Sequence, residues 1–146
     1  MLFAKYPEQW QKLRADRSLI ANATEEVVRL NTPIKAFSRY VAEDIDVGGI
    51  RLKADTRVLM VYGAANRDAQ KFPDPDRFDI ERKVRGHVGF GHGVHACLGM
   101  HLARLEISCL LNALADRIEQ FELSGPVVSS VNSSIHSFAS VPIRVA

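Results

Sequence analysis

The chain has 146 residues, 47% hydrophobic and 25% charged, with a formal net charge of +2, the profile of one soluble globular unit able to bury a core. Lysine and arginine are scattered, which argues against nucleic acid as a partner; no window reaches the ~18 consecutive apolar residues that a membrane span needs, and Met1-Leu2-Phe3-Ala4-Lys5 lacks a signal peptide's apolar run. Only Cys97 and Cys109 carry thiols, so no disulfide framework is implied and a reducing cytoplasm fits.

Tyr6-Pro7-Glu8-Gln9-Trp10 predicts a helix start, with proline at the first turn and an acid behind it, and the pattern runs to about Ala15. A second helix is predicted from Ala23 to Asn31, stopped before Pro33 because a residue preceding proline is pushed out of the helical region. Short β-like runs follow at Phe37 to Val41, Ile45 to Val47, Ile50 to Leu52 and Arg57 to Tyr62, with Gly48-Gly49 as a hairpin turn, predicting a small mixed sheet. Prolines and aspartates between Ala65 and Phe78 mark turns. Leu98, Leu102, Leu105, Cys109, Leu110, Leu114 and Ile118 recur at threes and fours, so the strongest helix is predicted from Leu98 to Gln120 with Cys109 as a small buried hydrophobe. Val127-Val128, Ile135 to Ala139 and Val141 to Val145 suggest a closing hairpin. The fold class expected is α+β, helices with a small sheet, and neither repeat nor linker divides the chain.

Chemistry concentrates in Phe90-Gly91-His92-Gly93-Val94-His95-Ala96-Cys97-Leu98-Gly99. Gly91, Gly93 and Gly99 remove side chains where backbone must turn tightly or approach a large planar ligand. A free thiol is mostly protonated at neutral pH, so a thiolate needs a site that favours the anion. With Cys97 at the first turn of the following helix, unpaired N–H groups and the positive end of the macrodipole would do so.

The run Phe-Gly-x-Gly-x-His-x-Cys-x-Gly, continued by Leu102-Ala103-Arg104-x-Glu106, resembles the haem-binding signature of the cytochrome P450 family, bacterial soluble type. Six fixed positions of this kind arise by chance on the order of once in a million chains of this length, so the resemblance is specific. Glu26-Val-Val-Arg29 is similar to the family's Glu-x-x-Arg helix motif, and Ala65-Asn66-Arg67-Asp68 through Phe72-Pro73-Asp74-Pro75-Asp76-Arg77-Phe78 to its meander. Alone, Glu26 and Arg29 would read as a solvated surface pair.

The resemblance implies a C-terminal, proximal-haem-side portion of the P450 fold across residues 1–146, with Cys97 thiolate as axial ligand of haem b (iron protoporphyrin IX). It implies His95 and Arg39 as partners of the haem propionates, an arginine being suited to carboxylate by its planar fork; as isolated residues both read as solvated surface side chains. Phe90, Gly91, Gly93 and Gly99 would shape the cofactor loop, while Glu26, Arg29 and a meander arginine, Arg77, would form a structural ion network. Ile34, Lys35, Ala36, Ile135, His136, Ser137 and Phe138 fall where the family lines its substrate pocket, with ordinary hairpin packing as the plain alternative.

The activity implied is monooxygenation of a small organic substrate, with NAD(P)H electrons delivered through ferredoxin reductase and ferredoxin. The family's distal helix, with its acid and alcohol pair, matches nothing here. The expectation is therefore a truncated gene or an incomplete gene model in which Met1 is not the true start; a haem-binding remnant without catalysis is the alternative. A zinc site of His92, His95, Cys97 and His101 is a third reading, one that explains neither the glycines nor the flanking signature. Apolar faces of the long helix and sheet are expected to be left uncovered.

Overall fold

Helices at the N-terminus follow the apolar spacing. In the computed structural model, which describes residues 1–146, α1 (Leu2–Lys5) and α2 (Pro7–Ala15) lead through a single 3₁₀ turn into α3 (Ile20–Asn31). The Asp16 carboxylate accepts the Ser18 N–H at 2.9 Å and caps the 3₁₀ turn; α3 follows it directly and begins three residues earlier than the sequence predicts. Ile20, Ala23 and Leu30 face the core, whereas Glu26 and Arg29 are buried on another side of the same helix. Thr32 ends α3 at φ +40°, a left-handed position that disfavours β-branched residues. Its hydroxyl donates to Arg29 O at 2.7 Å and accepts from Asn66 at 2.9 Å, which holds it there.

Seven of the eight strands fall on the predicted β-like runs, the strand at Phe121–Leu123 being unpredicted, but every pairing is antiparallel and two-stranded, so the expected mixed sheet is corrected to four small ribbons. Strands β1 (Phe37–Tyr40) and β4 (Arg57–Met60) pair, as do β2 (Ile45–Val47) and β3 (Ile50–Leu52) across Gly48 and Gly49, both at positive φ. The last residues of the predicted fourth run instead begin the short α4 (Tyr62–Ala65). Near the C-terminus β5 (Phe121–Leu123) pairs with β8 (Ile143–Val145), and β6 (Val128–Ser129) with β7 (Phe138–Ser140). The closing hairpin of the sequence reading thus becomes two nested ribbons, and an Ile34–Ile135 bridge ties the inner segment to the end of α3.

Long helix α5 runs Met100–Arg117, shorter at both ends than predicted. Its core-facing residues are Leu111 and Ala115, supported by Ile107, Leu114 and Ile118. They pack on Trp10, Leu13, Phe3, Phe78 and Ile80, and Trp10 Nε1 donates to Ile118 O at 3.2 Å. The core therefore lies where α1, α2, α3 and the second half of α5 meet the meander.

The stripe Leu98, Leu102, Leu105, Cys109 faces away from that core. Leu98 is 100% exposed, Leu102 and Leu105 are 60% exposed, and Cys109 is exposed rather than buried as predicted. Sequence periodicity finds an apolar stripe but not the surface that covers it, and here two stripes share one helix. Contiguous apolar surface of this kind drives association. The isolated 146-residue chain is expected to self-associate at micromolar concentration, as measured by light scattering coupled to size exclusion, and a monodisperse monomer would contradict that.

Candidate functional site

Strand alternation and one loop build a cleft at the end of α3. Pro33 and Ile34, leaving the helix, form one side; Phe37 and Arg39, two apart on β1, present the same face, as a period of two requires. Tyr62 from α4 meets Phe37 edge-on at 6.2 Å. Gly89, Phe90, Gly91, His95 and Cys97 close the other side of a cavity of ≈ 490 Å³, a size usual for small-ligand sites (~300–1,000 Å³).

The loop is held by its own backbone. Cys97 N–H donates to Phe90 O at 2.8 Å, Ala96 N–H to Gly93 O at 3.0 Å, and Gly91 N–H to Val88 O at 2.9 Å. Gly91 has φ +72°, and a Cβ there would stand 3.0 Å from His95 O; a Cβ on Gly89 would stand 2.6 Å from Val28 Cγ1 of α3. The chain thus needs hydrogen at both positions to lie flat against the helix beside the cavity. Cys97 precedes the first residue of α5 by three, with Gly99 between as N-cap, so it is not in the first helical turn. Its carbonyl accepts Met100 N–H at 3.2 Å, which leads the loop into the helix. Gly93 sits at φ +63°, while Gly99 has φ −83° with no side chain or backbone near its Cβ direction. Nothing within the chain itself demands glycine at position 99.

Behind the loop, Glu26 and Arg29 form a fully buried pair at 2.7 and 2.9 Å. Arg29 also donates to Asn66 O at 2.7 Å and Pro75 O at 2.9 Å, and Glu26 accepts from Asp79 N–H and Arg82 Nε, both at 3.2 Å. The meander arginine that completes the network is Arg82, not Arg77. Arg77 is exposed and reaches only Asp79, at 3.9 Å. Sequence order does not distinguish two arginines five apart on an irregular segment; the path of residues 73–79 does, placing Arg77 outward and leaving its carbonyl to accept from Arg82 at 3.1 Å. Asn66, unassigned from sequence, carries the network to the loop, because its Oδ1 accepts Val88 N–H at 2.7 Å. No buried side-chain polar atom is left without a partner.

A second ion group lies beside the loop. Arg104 of α5 grips Glu25 of α3 with both ends of its fork, at 2.6 and 2.9 Å, and His87 Nε2 lies 2.8 Å from the same carboxylate. Burial pushes the Glu25 carboxyl up, but hydrogen bonds from His87 and Arg104 and the guanidinium charge outweigh it and lower its pKa from 4.5 to about 2. Since the folded value is depressed, this grip stabilises fully above about pH 4.5 and fades as pH falls toward 2. Glu25→Gln is expected to cost about 1 kcal/mol at pH 7, the side chain being partly solvated. In urea titrations the gap between the two proteins should narrow steadily as pH falls from 4.5 toward 2, and a pH-independent gap would disprove the assignment.

Of the other sequence candidates, Ile34 lines the cavity but Ala36, Ile135 and His136 do not. Ile135 is occupied in the bridge to Ile34, and His136 turns to Asn31 O, 2.6 Å from its Nδ1. His92, His95, Cys97 and His101 do not converge, and no group of three or more His, Cys, Asp or Glu in the chain could hold a metal ion, which removes the zinc reading. Pro33, Phe37 and Tyr62 were not singled out from sequence; alternation from Arg39 could have found Phe37. Arg39 donates to its neighbour Ser38 O at 2.9 Å and pairs with no carboxylate. A thiol, an uncommitted guanidinium and an imidazole thus border one apolar cleft with glycine-flattened walls, an arrangement suited to a planar ligand that carries anionic groups.

A family model described as Cytochrome P450 matches residues 5–143. The chain is 43% identical over 142 residues to cytochrome p450 CYP199A2 of Rhodopseudomonas palustris, an alignment covering 97% of this chain and 34% of that protein. It is 42% identical over 122 residues to 6-deoxyerythronolide B hydroxylase of Saccharopolyspora erythraea, covering 84% and 30% respectively. Among solved structures, P450BioI in complex with a hexadec-9Z-enoic acid-ligated acyl carrier protein superposes with TM-score 0.94 at 36% identity, over 99% of this chain and 38% of that one. The tirandamycin C-bound P450 monooxygenase TamI gives TM-score 0.93 at 36% identity, over 99% and 37%. The chain spans about a third of the length of these relatives.

Proposed function

The chain belongs to the cytochrome P450 family, and from that premise we propose that it is the haem-thiolate portion of a monooxygenase, binding haem b through Cys97. One observation carries the reading: the sulfur-bearing residue lies on the wall of a single cleft together with Arg39, His95 and two glycines that admit no side chain. The fit to haem is good on chemical grounds. Pro33, Ile34, Phe37 and Phe90 offer apolar walls to a macrocycle, and Gly89 and Gly91 keep the loop flat where it would lie. Arg39, free of any carboxylate in the chain, would suit one propionate, and His95 the other.

When bound, a thiolate-ligated iron porphyrin supplies dioxygen activation, the thiolate pushing electron density that favours O–O cleavage. The residues here would hold and orient it. Cys97 would ligate the iron; Glu26, Arg29, Arg82 and Asn66 brace the loop from behind. Ile34, beside Phe37 at the cleft, contributes to substrate selection. Hydroxylation of a small organic molecule, with NAD(P)H electrons relayed by ferredoxin reductase and ferredoxin, is the activity of the whole protein of which residues 1–146 make the proximal-side domain. Both cysteines are unpaired and no helix is long and apolar enough to cross a membrane; a cytoplasmic setting accords with both.

The test is a haem titration of the chain followed by reduction under carbon monoxide. A strongly red-shifted Soret band at one haem per chain is expected. Haem binding without that band would overturn the thiolate assignment, and absence of haem binding would overturn the reading altogether. Where the band forms but reductant, dioxygen and redox partners yield no product, the chain is a binding unit without catalysis.

A further inference from the structure

We propose that Arg104, fixed by Glu25 and His87, is a positioning residue that clamps the cysteine loop through Phe90. Its guanidinium carbon lies 4.8 Å from the centre of the Phe90 ring, while its Nε and one Nη are committed to Glu25. Phe90 both lines the cleft and accepts the Cys97 N–H through its carbonyl at 2.8 Å. Three contacts therefore run from α3 to the sulfur-bearing residue: Glu25 to Arg104, Arg104 to the Phe90 face, Phe90 O to Cys97 N–H.

His87 closes the arrangement from the other end of the loop. Its Nδ1 accepts Gly89 N–H at 3.1 Å while its Nε2 faces Glu25 at 2.8 Å, so the imidazole is the tautomer with hydrogen on Nε2. Gly89 is the residue pressed against Val28. One carboxylate thus fixes both the entry to the loop at Gly89 and the ring of Phe90 at its start. The buried Glu26–Arg29–Arg82 network reaches only the backbone upstream, at Val88, and does not touch Phe90. A cation over an aromatic face is attracted to the ring's negative quadrupole, and a guanidinium held at both ends by a carboxylate keeps a fixed plane on which the ring can rest.

This inference rests on Cys97 as the haem ligand, but its first measurement does not. In the chain without haem, Arg104→Leu and the near-isosteric Glu25→Gln should accelerate amide hydrogen exchange across residues 88–97 by roughly ten-fold or more. Exchange in the buried parts of α2 and α3 should stay unchanged. In the haem-loaded chain, the same variants should lower the share of the red-shifted carbon monoxide band at equal haem occupancy. The charge swap Glu25→Arg with Arg104→Glu should not rescue either readout, because it sets a carboxylate against the ring face and a guanidinium against His87. Unchanged loop exchange in both single variants, or full rescue by the swap, would refute the clamp. If wild type itself forms no red-shifted band, the ligand assignment falls and the exchange experiment still decides the clamp.

Discussion

Glu26→Ala is expected to be the most damaging single substitution in the chain, costing about 3–5 kcal/mol of stability, because it strands a fully buried guanidinium. Arg29 is 0% exposed, and two of its four hydrogen bonds go to the Glu26 carboxylate. The same deletion frees Arg82 Nε and Asp79 N–H. Domains of this size hold only about 5–15 kcal/mol in total, so much of the chain should unfold at 37 °C. Glu26→Gln keeps the shape and one acceptor set and should lose less. Replacing both partners by apolar residues, Glu26→Leu with Arg29→Met, should recover part of the loss, since the cost is an uncompensated charge and not the absence of attraction. Urea unfolding followed by circular dichroism measures all three. A loss below about 1 kcal/mol for Glu26→Ala would mean that water reaches Arg29.

The second large effect concerns spectrum and not stability. Cys97→Ser should leave the unfolding midpoint within about 0.5 kcal/mol of wild type, as expected for an exposed side chain, and should abolish the red-shifted carbon monoxide band. The thiol is exposed, and the contacts that hold residue 97 in the loop are backbone ones: N–H to Phe90 O and carbonyl from Met100 N–H. A serine keeps both. Cys109→Ser is the matched control, an exposed thiol on α5, and should leave the band intact. A variant at position 97 that retained the band would remove the sulfur from the centre of this account.

Different residues were legible from sequence to different degrees. The loop Phe90 to Gly99 could be read whole because its information is local: positive φ at Gly91 and Gly93 demands residues without Cβ strain, and the spacing to Cys97 is covalent. Helix and strand positions near turns were also legible, since Gly48-Gly49 and the Pro33 stop act within a few residues. Arg39, singled out by its position in a motif, lines the cleft, and alternation along β1 explains why Phe37 joins it. The choice between Arg77 and Arg82 was not legible, nor were Asn66, the Glu25–Arg104–His87 group, or the outward turn of Cys109. Each depends on partners between about 20 and 110 residues away in sequence.

Residues in order therefore determined the family, the thiol-bearing loop, the helix carrying Glu26 and Arg29 and most of the short β runs, because turn chemistry, glycine conformation and periodicity act over a single turn or strand. Tertiary structure alone decided which meander arginine joins the Glu26–Arg29 pair, which of two apolar stripes on α5 meets the core, and that Arg104 lies over Phe90. Those outcomes turn on the enclosure of charge and apolar surface by distant segments, and periodicity along a helix says only that a face needs a cover, not which segment provides it.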